Sequence, residues 1–191
     1  MVPYYFDIPE IELPFDVDEK PYVQHPADYM SPTGLGLGGN SFQYKVVPEN
    51  WYEDVKTYLE NNHPYLGICV GMQILSDQGH EDKTTRGLGI IAGEIKKFKN
   101  KRLIIPHMGW NSISLNKEDP IVTSNFDNKD FYFVHSYIFQ NINKSNVLAN
   151  THYGKKFPSI VKKGNIYGVQ FHPEKSHKYG LNLIKNYILK S

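Results

Sequence analysis

The chain has 191 residues, 40% of them hydrophobic, with a formal net charge of +1. That length supports a domain with a sizeable core; the balanced charge gives no reason to expect nucleic acid or an acidic membrane as partner, and no apolar run reaches the ~20 residues of a membrane helix. One cysteine excludes an internal disulfide and the first residues lack the pattern of a secretory leader, so the expectation is a soluble cytoplasmic protein, without internal repeats.

Residues 1–45 read differently from the rest. Six of the 12 prolines (Pro3, Pro9, Pro14, Pro21, Pro26 and Pro32) fall in the first 32 residues, among seven acidic residues and Lys20 alone. Prolines at that spacing remove backbone donors and block helices and central strands, so an extended arm is expected. "GLGLGGNSF" (34–42) follows as a glycine-rich loop without the Lys-Ser/Thr of a phosphate loop. The expected organisation is this arm and loop over 1–45, then one α/β domain over 46–191.

"PENWYEDVKTYLENN" predicts a helix with Trp51, Val55, Tyr58 and Leu59 on one face, stopped by Asn62 and Pro64. "YLGIC" predicts a short buried strand and "GMQILSDQ" the start of a helix. Strands are predicted at "GEIKKF", "RLIIPHMGW", "DFYFVHSYIF", "NVLANTHY", "SIVKKG" and "IYGVQFH". "SHKYGLNLIKNYILK" predicts an amphipathic closing helix with Leu181, Ile184 and Ile188 inward.

Cys69 lies between Gly67 and Gly71, where the strand gives way to the helix. Inert packing is one reading of a lone cysteine. The other is a nucleophile elbow, in which side chains two residues away would clash and the following amide, from Val70, donates to an oxyanion. The helix start would also favour thiolate over thiol. In "GVQFHPEKS", Pro173 biases His172 to an extended conformation, where His172 and Glu174 would share one side. A base held by a carboxylate is the missing part of a Cys-His-Glu triad; a solvated His-Pro turn is the bland alternative.

"GICVGMQ" with the distant "GVQFHPEKS" resembles the triad-type (class I) glutamine amidotransferases. "IPHMGWN" and "FYFVHSY" narrow the resemblance to the glutaminase subunits of imidazole glycerol phosphate synthase, over about Trp51 to Leu189. The resemblance implies a flavodoxin-like α/β sandwich with a mixed central sheet. It implies hydrolysis of L-glutamine to L-glutamate and ammonia, without cofactor or metal. The ammonia would pass to a (β/α)8-barrel cyclase, partner in a heterodimer, which makes imidazole glycerol phosphate and AICAR in histidine biosynthesis. Carried over by position, Cys69 is the nucleophile, His172 the acid/base and Glu174 its orienter. Gln73, Val70, His135, Ser136 and Tyr137 fall at substrate-binding positions, and Met108, Trp110 and Lys175 at positions facing the cyclase. The family's second oxyanion donor comes from a Pro-Gly-x-Gly loop, whose nearest counterpart is Gly38 and Gly39. The first 45 residues depart from the family pattern. A glutaminase for a related barrel making amidated surface sugars, and a degenerate binding subunit, are the competing readings. "PHMGWN" argues against a peptidase.

Overall fold

The computed structural model describes residues 51–99 and 103–190; the arm and loop expected over 1–45, with Gly38 and Gly39, lie outside the described residues. Helix α1 (Trp51–Glu60) carries Glu53 and Asp54 in its first turn, where acids suit the helix dipole. It ends at Asn62, whose φ of 58° is a left-handed stop. The Asn62 carboxamide oxygen then accepts from the Asn165 amide at 2.7 Å, tying the helix exit to the distant turn before β10 (Ile166–Val169). Its inward face is narrower than predicted. Leu59 is buried, but Trp51 and Tyr58 are each 46% exposed.

Ten strands form two mixed sheets among the described residues. The larger contains β1 (Tyr65–Ile68), β5 (His107–Leu115), β6 (Asp130–His135), β8 (Val147–Tyr153), β9 (Lys155–Lys163) and β10, in the order β1-β10-β9-β8-β5-β6. Only β1 and β10 run parallel in it. The smaller has β2 (Gln78–His80), β3 (Thr84–Arg86), β4 (Glu94–Lys97) and β7 (Tyr137–Gln140), in the order β3-β2-β4-β7. Short helix α2 (Val70–Gln73) follows β1, and α3 (His177–Lys190) closes the described chain. This is the expected α/β class with a mixed central sheet. No helix among the described residues is long and apolar enough to cross a membrane.

Several predicted boundaries move, each for a physical reason. "DFYFVHSYIF" is two strands, because β6 pairs with β5 and β7 with β4; the chain changes sheet at Ser136. β5 begins only after Pro106 and runs on to Leu115, rather than ending at Trp110. β9 starts earlier than predicted and includes Pro158, which pairs with Asn150 beside a register shift; an irregular ladder tolerates the missing donor. α2 has only four residues. Its last turn tightens, with Leu75 and Ser76 amides donating to Met72 and Gln73 carbonyls, and the chain then enters β2, which was not predicted.

The core is aromatic near the larger sheet. Phe131, Phe133, Phe157 and Phe171 are fully buried, with Phe131 and Phe171 centroids 4.2 Å apart. A second cluster gathers Leu59, Met72, Leu75, Ile91 and Phe139. In α3 Gly180 and Leu183 are buried, whereas Leu181 and Ile188, predicted inward, are 60% and 62% exposed. The helix docks through Gly180, where an added Cβ would lie 1.8 Å from the Pro173 carbonyl oxygen, and that close approach sets its rotation.

Candidate active site

Cys69 sits at the end of β1, and its amide donates to the Val169 carbonyl at 2.8 Å, one rung beyond the β1–β10 register. Its φ of 51° and ψ of −105° are strained for a residue with a side chain. Its carbonyl accepts from the Met72 and Gln73 amides, so the chain enters α2 directly. A Cβ on Gly67 would lie 2.3 Å from the Gly71 carbonyl oxygen, so strand and helix touch there. Gly71 is less constrained, since its added Cβ would meet only the Tyr65 hydroxyl at 3.3 Å. The steric demand of the elbow therefore falls mainly on one of the two glycines.

His172 reaches the cysteine through β6. In an antiparallel pair, alternate residues turn their N–H and C=O to the free edge. Tyr132 and Val134 do so here. The Tyr132 carbonyl accepts from the His172 amide at 2.8 Å, and the Val134 carbonyl accepts from the Cys69 thiol at 3.8 Å. These carbonyls are about 7 Å apart by strand geometry. Thus the segment after β10 folds over the open edge of β6, and the His172 amide and the Cys69 thiol bond carbonyls two residues apart on that one edge. Ser176 fastens it: its hydroxyl donates to the His172 carbonyl at 2.6 Å and accepts from the Tyr132 amide at 3.0 Å.

His172 Nδ1 and Glu174 Oε1 are 2.7 Å apart. His172 is extended, as Pro173 requires, but Pro173–Lys175 form a 3-10 turn rather than continuing the strand. Closeness of the two side chains comes from that turn. The carboxylate thus engages Nδ1 and leaves the ring's other nitrogen, Nε2, on the side away from Glu174.

Burial pushes the Cys69 thiol above its ordinary pKa. The Val70 amide, the Gln170 side chain and Lys175 pull it down, and Glu174 adds to the rise. The net direction is opposite to that expected from a helix start, because desolvation of the buried sulfur outweighs the Val70 amide at the start of α2.

A cavity of about 230 Å³ opens beside the elbow. Val70, Gln73 and Tyr137 line it, as do Glu81 and Arg86. No motif in the sequence marks Glu81 or Arg86. His135 is turned away from this cavity: it is 6% exposed, its Nε2 lies 3.0 Å from His107 Nδ1, and its Nδ1 bonds the Tyr137 carbonyl. Ser136 marks the sheet change, and its carbonyl accepts from the Phe98 amide. Gln170, to which the sequence pattern assigns no role, is fully buried and bonds both Gln73 and Cys69. Met108 and Trp110 project from the outer side of β5, 62% and 47% exposed, so neither is core. Trp110 stacks on His177 with centroids 4.8 Å apart, and Lys175 is exposed at the turn after His172.

A family model described as glutamine amidotransferase class-I matches residues 27–190. The chain is 43% identical over 155 residues to a protein of Methanocaldococcus jannaschii named imidazole glycerol phosphate synthase subunit HisH, covering 81% of this chain and 76% of that one. It is 36% identical over 169 residues to the protein of that name from Desulfitobacterium hafniense, covering 86% and 80%. A HisH 1 protein of Methanococcus maripaludis is 46% identical over 125 residues, but the chain spans only 61% of its length. Among solved structures, PurLQS from Thermotoga maritima superposes with a TM-score of 0.55 at 18% identity, over 72% of this chain and 66% of that one, a likeness of fold. The chain belongs to the class-I glutamine amidotransferases and, within them, to the family of HisH subunits of imidazole glycerol phosphate synthase.

Proposed function

We propose that the chain is the glutaminase subunit of an imidazole glycerol phosphate synthase. It hydrolyses L-glutamine to L-glutamate and ammonia, which passes to a (β/α)8-barrel cyclase in a heterodimer. The observation that carries the reading is that the strained Cys69 and the Glu174-held His172 bond, by thiol and by backbone amide, the Val134 and Tyr132 carbonyls on one edge of β6.

His172 Nε2 takes the thiol proton as Sγ attacks the side-chain amide carbon of glutamine. The oxyanion that forms faces the Val70 amide at the start of α2. His172 then gives its proton to the departing ammonia, leaving a thioester. It next removes a proton from water, whose attack on the thioester releases glutamate and restores the thiol. Glu174 keeps the ring oriented and supports its protonated form. Glu81 and Arg86 in the cavity wall suit the ammonium and carboxylate of an amino acid. Met108, Trp110 and Lys175 offer an exposed surface for the barrel, away from the apolar core. The relatives' shared name favours histidine biosynthesis over a surface-sugar pathway.

The test is glutamate release by the full chain with and without a barrel cyclase, alongside Cys69→Ala. A glutamine-like alkylating analogue should label Cys69, and the alanine variant should fold but release no glutamate. If the folded complex neither reacts with the analogue nor releases glutamate, the proposal is wrong.

A further inference from the structure

Gln170 lies between β10 and His172 and is fully buried, and the mechanism above assigns it no role. A buried carboxamide must find partners for its oxygen and its N–H groups. Its surroundings leave it one orientation. The fixed point is the Tyr137 carbonyl, which can only accept. Gln73 approaches it at 3.2 Å, so the Gln73 atom there is the amide nitrogen. That same nitrogen lies 3.1 Å from Gln170, so Gln170 must present its oxygen to Gln73. Gln170 Nε2 is thereby turned to Cys69 Sγ, at 3.8 Å.

The Tyr137 carbonyl is held from its other side by a chain with equally definite direction. It accepts from His135 Nδ1 at 2.9 Å, which makes His135 Nε2 an acceptor. His107 Nδ1 donates to that nitrogen at 3.0 Å, and His107 Nε2 accepts from Asn111 Nδ2 at 3.2 Å. Asn111 is itself fixed, since the same nitrogen donates to the His152 carbonyl at 3.1 Å and its oxygen accepts from the Ser112 amide at 2.8 Å. Burial keeps both imidazoles neutral, as the chain requires. Every tautomer and amide from Asn111 to Gln170 is therefore determined by backbone carbonyls.

We propose that Gln170 is a further catalytic residue, an amide donor to the Cys69 sulfur, and that Gln73, His135 and the Tyr137 carbonyl position it. This rests on the reading of Cys69 as the nucleophile. A neutral thiol is a weak acceptor and donates its own proton to the Val134 carbonyl. A thiolate is a strong acceptor, so the Gln170 N–H favours the ionised form. It offsets part of the burial that disfavours the nucleophile, alongside the Val70 amide and Lys175 and against Glu174. Gln73 thus links the substrate cavity to the sulfur, because its nitrogen is spent on Tyr137 and Gln170 and its oxygen is left for the ligand.

The experiment is alkylation of Cys69 by iodoacetamide in the full chain, from pH 6 to 10, for the native protein, Gln170→Met and Gln73→Met. It needs no glutamine turnover, so its outcome is separate from that of the glutaminase test. Methionine keeps the volume and removes the donor. Gln170→Met should raise the apparent thiol pKa by about one unit, a roughly tenfold slower reaction below that pKa. Gln73→Met frees Gln170 to turn and should shift the profile the same way by a smaller factor. An unchanged profile in folded Gln170→Met overturns the proposal. If that variant does not fold, Gln73→Met decides: a slower reaction supports the relay, and an unchanged one overturns it.

Discussion

Gly67→Ala and Gly71→Ala are symmetric about Cys69 in sequence but are expected to differ sharply in consequence. A methyl at residue 67 would lie 2.3 Å from the Gly71 carbonyl oxygen, 2.5 Å from its carbon and 2.8 Å from the Met72 amide nitrogen. All three are backbone atoms, so no side-chain rotation relieves the overlap. Helix α2 must instead move off β1 by about 1 Å, in an interior packed like a crystal. That movement disturbs Met72 and the following Leu75, both 0% exposed. Overpacking costs about 1–3 kcal/mol, and a clash with rigid backbone belongs at the upper end. For a chain of this size, about 3 kcal/mol lowers the unfolding midpoint by roughly 6–12 °C. At residue 71 the nearest atom is the Tyr65 hydroxyl at 3.3 Å, the far end of a side chain, which can yield. Alanine is also favoured over glycine inside a helix by about 0.5–1 kcal/mol, so the net change should stay within about 1 kcal/mol. Thermal unfolding of the two full-length variants side by side, with Cys69 alkylation as a local probe, makes the comparison. Equal destabilisation would refute the claim that strand–helix contact at Gly67 is what the elbow requires.

Glu174→Gln should slow turnover less than His172→Ala, because glutamine can still hold Nδ1 while removal of the ring removes proton transfer, typically worth roughly 10²–10⁴-fold; equal losses in steady-state rate would mean the roles are wrongly assigned. Burial holds His107 and His135 at about 4, below the ordinary 6.5. The unfolded chain therefore takes up these protons first as pH falls. Their contribution to stability is complete above about pH 6.5 and is lost between 6.5 and 4. Unfolding free energy measured at pH 7 and pH 5 should fall more for the native chain than for His107→Asn, and identical falls would count against the buried neutral pair.

What could be read from the sequence was local. The strand that passes through Gly67 and Ile68 into Cys69, and the histidine and glutamate flanking one proline, depend on sterics and turn chemistry within a few residues. Their chemistry is legible without knowing the rest of the fold. Even there the reason needed adjustment, since the His172–Glu174 contact is made by a 3-10 turn. Hydrophobicity by itself was a poorer guide. Leu181 and Leu183 are chemically identical, and only the close docking of Gly180 on Pro173 decides which is buried. "DFYFVHSYIF" reads as one strand because pattern reports a pleat and not which neighbour pairs with it; two different partners divide it at Ser136. Contacts that complete the site join residues far apart in the chain. Cys69 meets the Val134 carbonyl 65 positions away and Gln170 101 positions away. Such contacts are set by the pairing of β10 with β1 and by the fold of the next segment over β6. Tertiary structure alone therefore decided that His135 is buried between His107 and the Tyr137 carbonyl, that Glu81 and Arg86 wall the cavity, and that an amide faces the sulfur. Each depends on where a carbonyl or carboxylate lies in space, and a linear sequence carries no such coordinate.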